Sequence, residues 1–102
     1  MRFKIKYHDD FKADYKKVIS FVKDPHRLNR ELYRITQALI LHQSPPADCI
    51  TNPVLCRGAD YHECFIYDDG KYLIVMYYKI KGHRIYLARI GTPKTFTSPY
   101  YH

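Results

Sequence analysis

The sequence predicts an α+β domain of order βααβββ, with room for one further short strand. A two-helix hairpin packs on one face of an antiparallel-dominated sheet. Three observations predict this. Phe3, Ile5 and Tyr7 alternate with Lys4 and Lys6, apolar residues recur at helical spacing from Phe11 to Leu41, and from Tyr61 the period switches to two. A length of 102 residues bounds the chain to one domain, 1–102, with no room for two independent cores.

The alternation at the N-terminus reads as a short, half-buried first strand. His8-Asp9-Asp10 then sets carboxylates at a helix start, where they cap unpaired N–H groups and complement the helix dipole. Phe11, Tyr15, Val18, Ile19 and Val22 form the apolar stripe of the first helix, with Lys12, Lys16, Lys17 and Lys23 on its other sides. Lys23-Asp24-Pro25 ends it, because the residue before proline disfavours the helical region. The second helix begins near Pro25 or His26 and runs to about His42, burying Leu28, Leu32, Ile35 and Leu39. The tight link between the two helices implies an antiparallel hairpin. Gln43-Ser44-Pro45-Pro46 stops the second helix, and Cys49 to Asp60, without a clear period, reads as a loop crossing the surface. Tyr61–Tyr67 is a strand, Asp68-Asp69-Gly70-Lys71 a turn, and Tyr72–Ile80 a longer strand whose apolar residues on both faces make it central. Lys81-Gly82-His83 is a hairpin turn before the strand Arg84–Ile90, and Gly91–His102 reads as an irregular tail.

Composition narrows the function. A hydrophobic fraction of 46% supports a folded chain, and a net charge of +7 favours polyanionic partners such as nucleic acid, an acidic protein segment or an anionic membrane surface. The 11 tyrosines add stacking faces and hydroxyls suited to RNA, or pack within the sheet and core. No apolar run approaches the roughly 18–20 residues of a membrane span. The basic, alternating start lacks the apolar block of a signal peptide, so a cytoplasmic location is expected. Cys49, Cys56 and Cys64 read as three reduced thiols. Their spacing fits no common zinc pattern, so no metal and no cofactor is expected.

Three stretches carry a family resemblance: Asn52-Pro53-Val54-Leu55 with Gly58, then Tyr61 to Asp69, then Leu73–Tyr77 with Leu87-Ala88-Arg89-Ile90-Gly91-Thr92. In order and spacing the chain resembles the RelE/YafQ superfamily of type II toxins, small ribonucleases that cut mRNA on the ribosome. The resemblance spans nearly the whole domain. It implies a RelE-like fold and places the family's histidines on Asn52, Phe65 and Pro93. Its strand carboxylate falls on Glu63, its turn carboxylate on Asp69, its late-strand arginine on Arg89, and its C-terminal aromatic on Phe96 or a neighbour.

Cleavage at a ribose 2′-hydroxyl needs a base, a cation for the phosphorane charge and an acid for the leaving 5′ oxygen. It needs no metal, because the substrate supplies its own nucleophile. Glu63 or Asp69 is the candidate base, and Arg89 the cation, since its planar donors hold two phosphate oxygens at once. The acid is sought in the tail, at His102, Tyr101 or Tyr100, or at His62 or His83. His62 points away from Glu63 by strand alternation, and His83 sits in a turn. Arg57, Lys71 and Lys94 add positive charge; Asn52 offers RNA a hydrogen bond; Phe65, on the same strand face as Glu63 and Tyr67, offers a stacking ring. Each has a structural alternative. Arg89 equally suits a surface pair with Asp69 or Glu63, Asp68 and Asp69 suit the turn before Gly70, and Asn52 suits a turn before Pro53.

The resemblance further implies a cognate antitoxin, assembled with the toxin as a hetero-oligomer, and mRNA and rRNA as nucleic-acid partners. It leaves two alternatives: a degenerate RelE fold that binds RNA or antitoxin without cutting, and a ParE-like inhibitor of gyrase.

Overall fold

The computed structural model describes residues 3–56 and 58–96, without the side chains of Cys56, Thr95 and Phe96. Within them the order is β1 (Lys4–Tyr7), α1 (Asp9–Phe21), α2 (Pro25–His42), β2 (Thr51–Cys56), β3 (Ala59–Asp68), β4 (Leu73–Lys81), β5 (Arg84–Gly91) and α3 (Pro93–Phe96). The five strands form one sheet in the order β1-β5-β4-β3-β2, antiparallel throughout except for the parallel pair β1 and β5. β4 is central, as its two-sided apolarity requires.

Two expectations are corrected. Within the segment expected as a surface loop, Thr51–Cys56 is an edge strand paired with β3. Proline lacks the N–H of a ladder and is tolerated at such an edge, which is why Asn52-Pro53 does not break the strand. The tail is not irregular from Gly91 onward, because Gly91 completes β5 and Pro93–Phe96 forms one helical turn.

His8 is the N-cap of α1 and makes no side-chain cap, so Asp9 and Asp10 act in the first turn on the helix dipole rather than as the cap itself. At α2 the Asp24 carboxylate accepts the Arg27 N–H at 3.0 Å and Pro25 fills the first helical position. Gln43 ends α2 in the left-handed region at φ 56°, its N–H donating to the Leu39 carbonyl. The Tyr15 hydroxyl donates to Asn29, tying α1 to α2.

Both helices lie on one face of the sheet. Val18, Leu28, Ile35 and Leu39 pack there against Ile74, Met76, Ile85, Leu87 and Ile90. Full burial of one such side chain is worth roughly 1.5–3 kcal/mol. The opposite face is covered by neither α1 nor α2, yet it is not bare. Tyr61, Val75, Tyr77 and Ala88 are buried in a second, smaller cluster with Val54, Ala59 and Phe65.

Two bulges interrupt the alternation, one between Phe65 and Tyr67 in the β3–β4 ladder and one at Tyr77/Tyr78 in the β4–β5 ladder. The first turns Tyr67 away from the face of Glu63 and Phe65, correcting the expectation that all three share it. Tyr67 belongs to the helix-side core, and its hydroxyl accepts the Asp24 N–H at 3.1 Å.

Candidate functional site

On the helix-free face the ladder aligns residues from four strands. Asn52 stands opposite Glu63, Glu63 opposite Tyr77, and Tyr77 opposite Arg89. Strands lie about 4.8 Å apart, so this row crosses about 14 Å of sheet. Asn52 is exposed at the edge, Glu63 is half-buried and Tyr77 is buried. The next row on the same face joins Phe65, Val75 and Gly91, after which the chain turns into α3 with Lys94 exposed. Three of the expected site residues, Asn52, Glu63 and Arg89, thus share a row, with Phe65 one step along.

Arg89 is held from within the protein. Its Nε and a terminal nitrogen donate to the two oxygens of Asp14 at 2.6 and 2.9 Å. The Ile90 N–H donates to the same carboxylate at 3.2 Å. The geometry follows from strand lengths: β1 pairs with β5 only as far as Tyr7 and Leu87, and Asp14 on α1 takes up the edge of β5 beyond that point. With side chains 16% and 10% exposed, this is a largely buried ion pair, and its partner is neither Asp69 nor Glu63.

Asp69 lies on the other side of the sheet, where it ties the β3–β4 turn to the link between the helices. It accepts from the Lys23 N–H at 2.9 Å, the Tyr67 hydroxyl at 2.7 Å, and the N–H groups of Lys71 and Tyr72 at 3.0 and 2.7 Å. Burial pushes its carboxyl up, but these four donors outweigh it and hold the group well below the usual carboxylate range. The Tyr67 hydroxyl is raised in turn, by burial first and then by its bond to Asp69. The structure therefore does not bring Asp69 to the Glu63 row. Lys71 is likewise remote from it, its ammonium 5.3 Å from the ring of Tyr72, which packs on Phe21 of α1.

His62 points to the helix side, as alternation predicts, and stacks on Tyr78 with ring centres 5.3 Å apart. His83 is exposed in the hairpin turn, edge-on to Phe3. Arg57, Tyr100, Tyr101, His102 and the side chain of Phe96 lie outside the described residues. Burial raises both the Cys49 and Cys64 thiols, the latter to about 12, which suits inert core thiols. Among the described residues no group of three or more His, Cys, Asp or Glu side chains is placed to hold a metal ion. A cleft of about 490 Å³ lined by Tyr7, Phe11, Lys12, Tyr15, Lys16 and Leu32 lies on the helix side and bears none of the candidate groups.

Asp14 and Tyr77 are absent from the sequence-based site. A signal for Asp14 existed: it falls three residues after Phe11 and four before Val18, on the apolar stripe of α1, where a carboxylate requires a cation. Tyr77 carried no such signal, because its place in the row depends on the pairing register.

The row, the two helices on the opposite face and the strand order define a RelE-like α+β fold. No protein-family model and no curated protein matches the sequence. Among solved structures, YafQ from E. coli matches with a TM-score of 0.69 at 21% identity, covering 94% of this chain and 99% of that chain. A point mutant of E. coli YafQ gives 0.70 at 18% identity, with 94% and 99% covered. A metal-bound toxin from Helicobacter pylori gives 0.67 at 20% identity, with 93% and 98% covered. Likeness at such identities is a likeness of fold, and the fold of this chain is that of YafQ.

Proposed function

We propose that this protein is the toxin of a type II toxin–antitoxin pair and cleaves mRNA on the ribosome. The observation that carries this reading is the likeness to YafQ over 94% of this chain and 99% of that chain. The row of Asn52, Glu63, Tyr77 and Arg89 on the face without helices supports it.

In the proposed reaction the Glu63 carboxylate takes the proton of a ribose 2′-hydroxyl. The 2′ oxygen attacks the adjacent phosphorus, and the bond to the 5′ oxygen breaks. The leaving oxygen takes a proton from a group in the tail, Tyr101 or His102, and the products are a 2′,3′-cyclic phosphate and a 5′-hydroxyl. Arg89 and Lys94 supply positive charge to the phosphorane, and no metal takes part. Phe65 stacks on a base, Asn52 hydrogen-bonds at the sheet edge, and Arg57 and Phe96 contact the strand beyond the row. A co-expressed antitoxin neutralises the protein by covering this face or wrapping the helices, and both act in the cytoplasm.

The ion pair of Arg89 with Asp14 favours a second reading, a RelE-like fold that binds RNA without cutting it. A guanidinium already neutralised by a carboxylate is a weaker clamp for phosphate.

Induced expression, with and without the neighbouring small gene, tests the proposal. Growth arrest with codon-phased mRNA cuts, relieved by the neighbour, is expected. Glu63→Gln, nearly the same in shape, is expected to lower cleavage by about 10²–10⁴-fold at unchanged thermal stability. Arrest without cuts would redirect the search to gyrase, and binding without arrest to the second reading.

A further inference from the structure

Beyond the Glu63 row, towards the β4–β5 hairpin, the helix-free face carries two rows that the proposed reaction does not use. One aligns Lys4, Arg84 and Lys81, three cations directly opposite one another across β1, β5 and β4. The next aligns Lys6, Tyr86 and Lys79. The Lys79 ammonium lies 4.9 Å from the ring centre of Tyr61 and 5.7 Å from that of Tyr86. His8 packs edge-on against Tyr86 at 5.8 Å.

Lys4, Lys6, Lys81 and Arg84 are exposed, and none has an ion-pair partner among the described residues. Of the described strand residues on this face, the carboxylates are Glu63 and Asp68, and Asp68 stands at the far end of β3, opposite Leu73, where its side chain accepts the Gly70 N–H. Like charges set directly opposite in a sheet destabilise it. Lysines on an edge strand guard against strand addition, which accounts for Lys4 and Lys6 on β1. It does not account for Arg84, Lys79 and Lys81, which stand on the inner strands β5 and β4.

We propose that this end of the face is a binding subsite for single-stranded RNA: Lys4, Lys6, Lys81 and Arg84 hold successive phosphates, and Tyr86, oriented by Lys79 over Tyr61, stacks on an unpaired base. A cationic groove interleaved with aromatic rings is the general solution for single strands. Along β4 the nearer row of the subsite lies two residues, about 7 Å, from the Glu63 row and the farther row four, about 14 Å, so a strand held here continues over Glu63. The inference rests on the reading of that face as RNA-contacting, but it concerns binding rather than cleavage. The same chemistry is offered by a message and by an unpaired stretch of ribosomal RNA.

Fluorescence anisotropy with a short, fully 2′-O-methylated RNA, which cannot be cut, tests the subsite in the full chain. Removing one phosphate-binding cation flattens the dependence of log affinity on log salt by about 0.7. The quadruple change Lys4→Ala, Lys6→Ala, Lys81→Ala and Arg84→Ala is expected to reduce that slope by about 3. Tyr86→Leu is expected to weaken binding roughly ten-fold with the slope kept, the signature of a missing stacking ring.

A quadruple variant with the slope of the unchanged protein overturns the subsite and leaves the proposed cleavage standing. The expected slope change in a protein that cuts no mRNA in cells keeps the subsite and removes the ribonuclease reading. Co-sedimentation with mRNA-free ribosomes separates the sources: loss in the quadruple variant assigns the subsite to ribosomal RNA, and retention assigns it to the message. Binding of polyglutamate through the same four cations, with no binding of the methylated RNA, gives the patch to an acidic protein segment and overturns the proposal.

Discussion

The two faces of the sheet are made from alternate residues of the same strands, yet they meet different demands. On β4, Ile74, Met76 and Tyr78 enter the core beneath the helices, while Val75 and Tyr77 enter the small cluster opposite and Lys79 caps it. The helix side is closed by aliphatic packing. The other side sets a thin apolar floor under hydroxyls, two carboxylates and a run of cations. Two different surfaces are therefore written in one strand with period two, and a single inserted residue moves a side chain from one to the other. Tyr67 shows this: one bulge carries it from the face of Glu63 to the helix side, where it and Asp69 bond to the link between the helices.

The largest break in this division is expected where the two sides meet. Asp14→Ala leaves Arg89 without its carboxylate, and removing one partner of a buried pair costs about 3–5 kcal/mol. Urea unfolding measures the loss, and the double change Asp14→Leu with Arg89→Met is expected to recover much of it. A loss under about 1 kcal/mol in Asp14→Ala would mean that the pair is solvated like a surface one.

A direct comparison of the faces comes next. Ile74→Ala, on the helix side, is expected to cost about 2–5 kcal/mol. Phe65→Ala, half-buried on the other side, is expected to cost about 1 kcal/mol. Equal losses would make the helix-free cluster a second core.

The smallest effect is one of pH. The folded carboxyl of Asp69 titrates below its unfolded value of about 3.9, so its contribution is complete above that pH and fades as the pH falls through the folded value. Asp69→Asn is expected to be less stable at neutral pH, and to lose less stability than the unchanged protein on acidification below about pH 4. Parallel acid-unfolding curves for the two proteins would remove Asp69 from the linkage.

Much of the fold was legible because periodicity reports directly on packing. The stripes of α1 and α2, the proline between them and the two-sided β4 each follow from one local rule. The strand Thr51–Cys56 was not legible, since Asn52-Pro53 is a turn signal that only an edge position overrides. The site was legible in part. Asn52, Glu63 and Arg89 do fall in one row, but register joins them, and register depends on two bulges that no local pattern announces. The engagement of Arg89 was concealed for a different reason: its partner lies 75 residues earlier in the chain. A lone aspartate on an apolar helical stripe marks that a cation is required without naming which one.

The parallel pairing of β1 with β5 bears on synthesis. β1 waits for β5: Lys4–Tyr7 finds its place in the sheet only against Arg84–Leu87, and Asp14 meets its arginine only when residue 89 has been made. Contacts so distant in sequence close late and slow folding. A nascent chain that has not yet released β5 from the ribosomal tunnel lacks both the edge and the clamp of the sheet. The native fold, with any activity that depends on it, is thus deferred until β5 has been made and released.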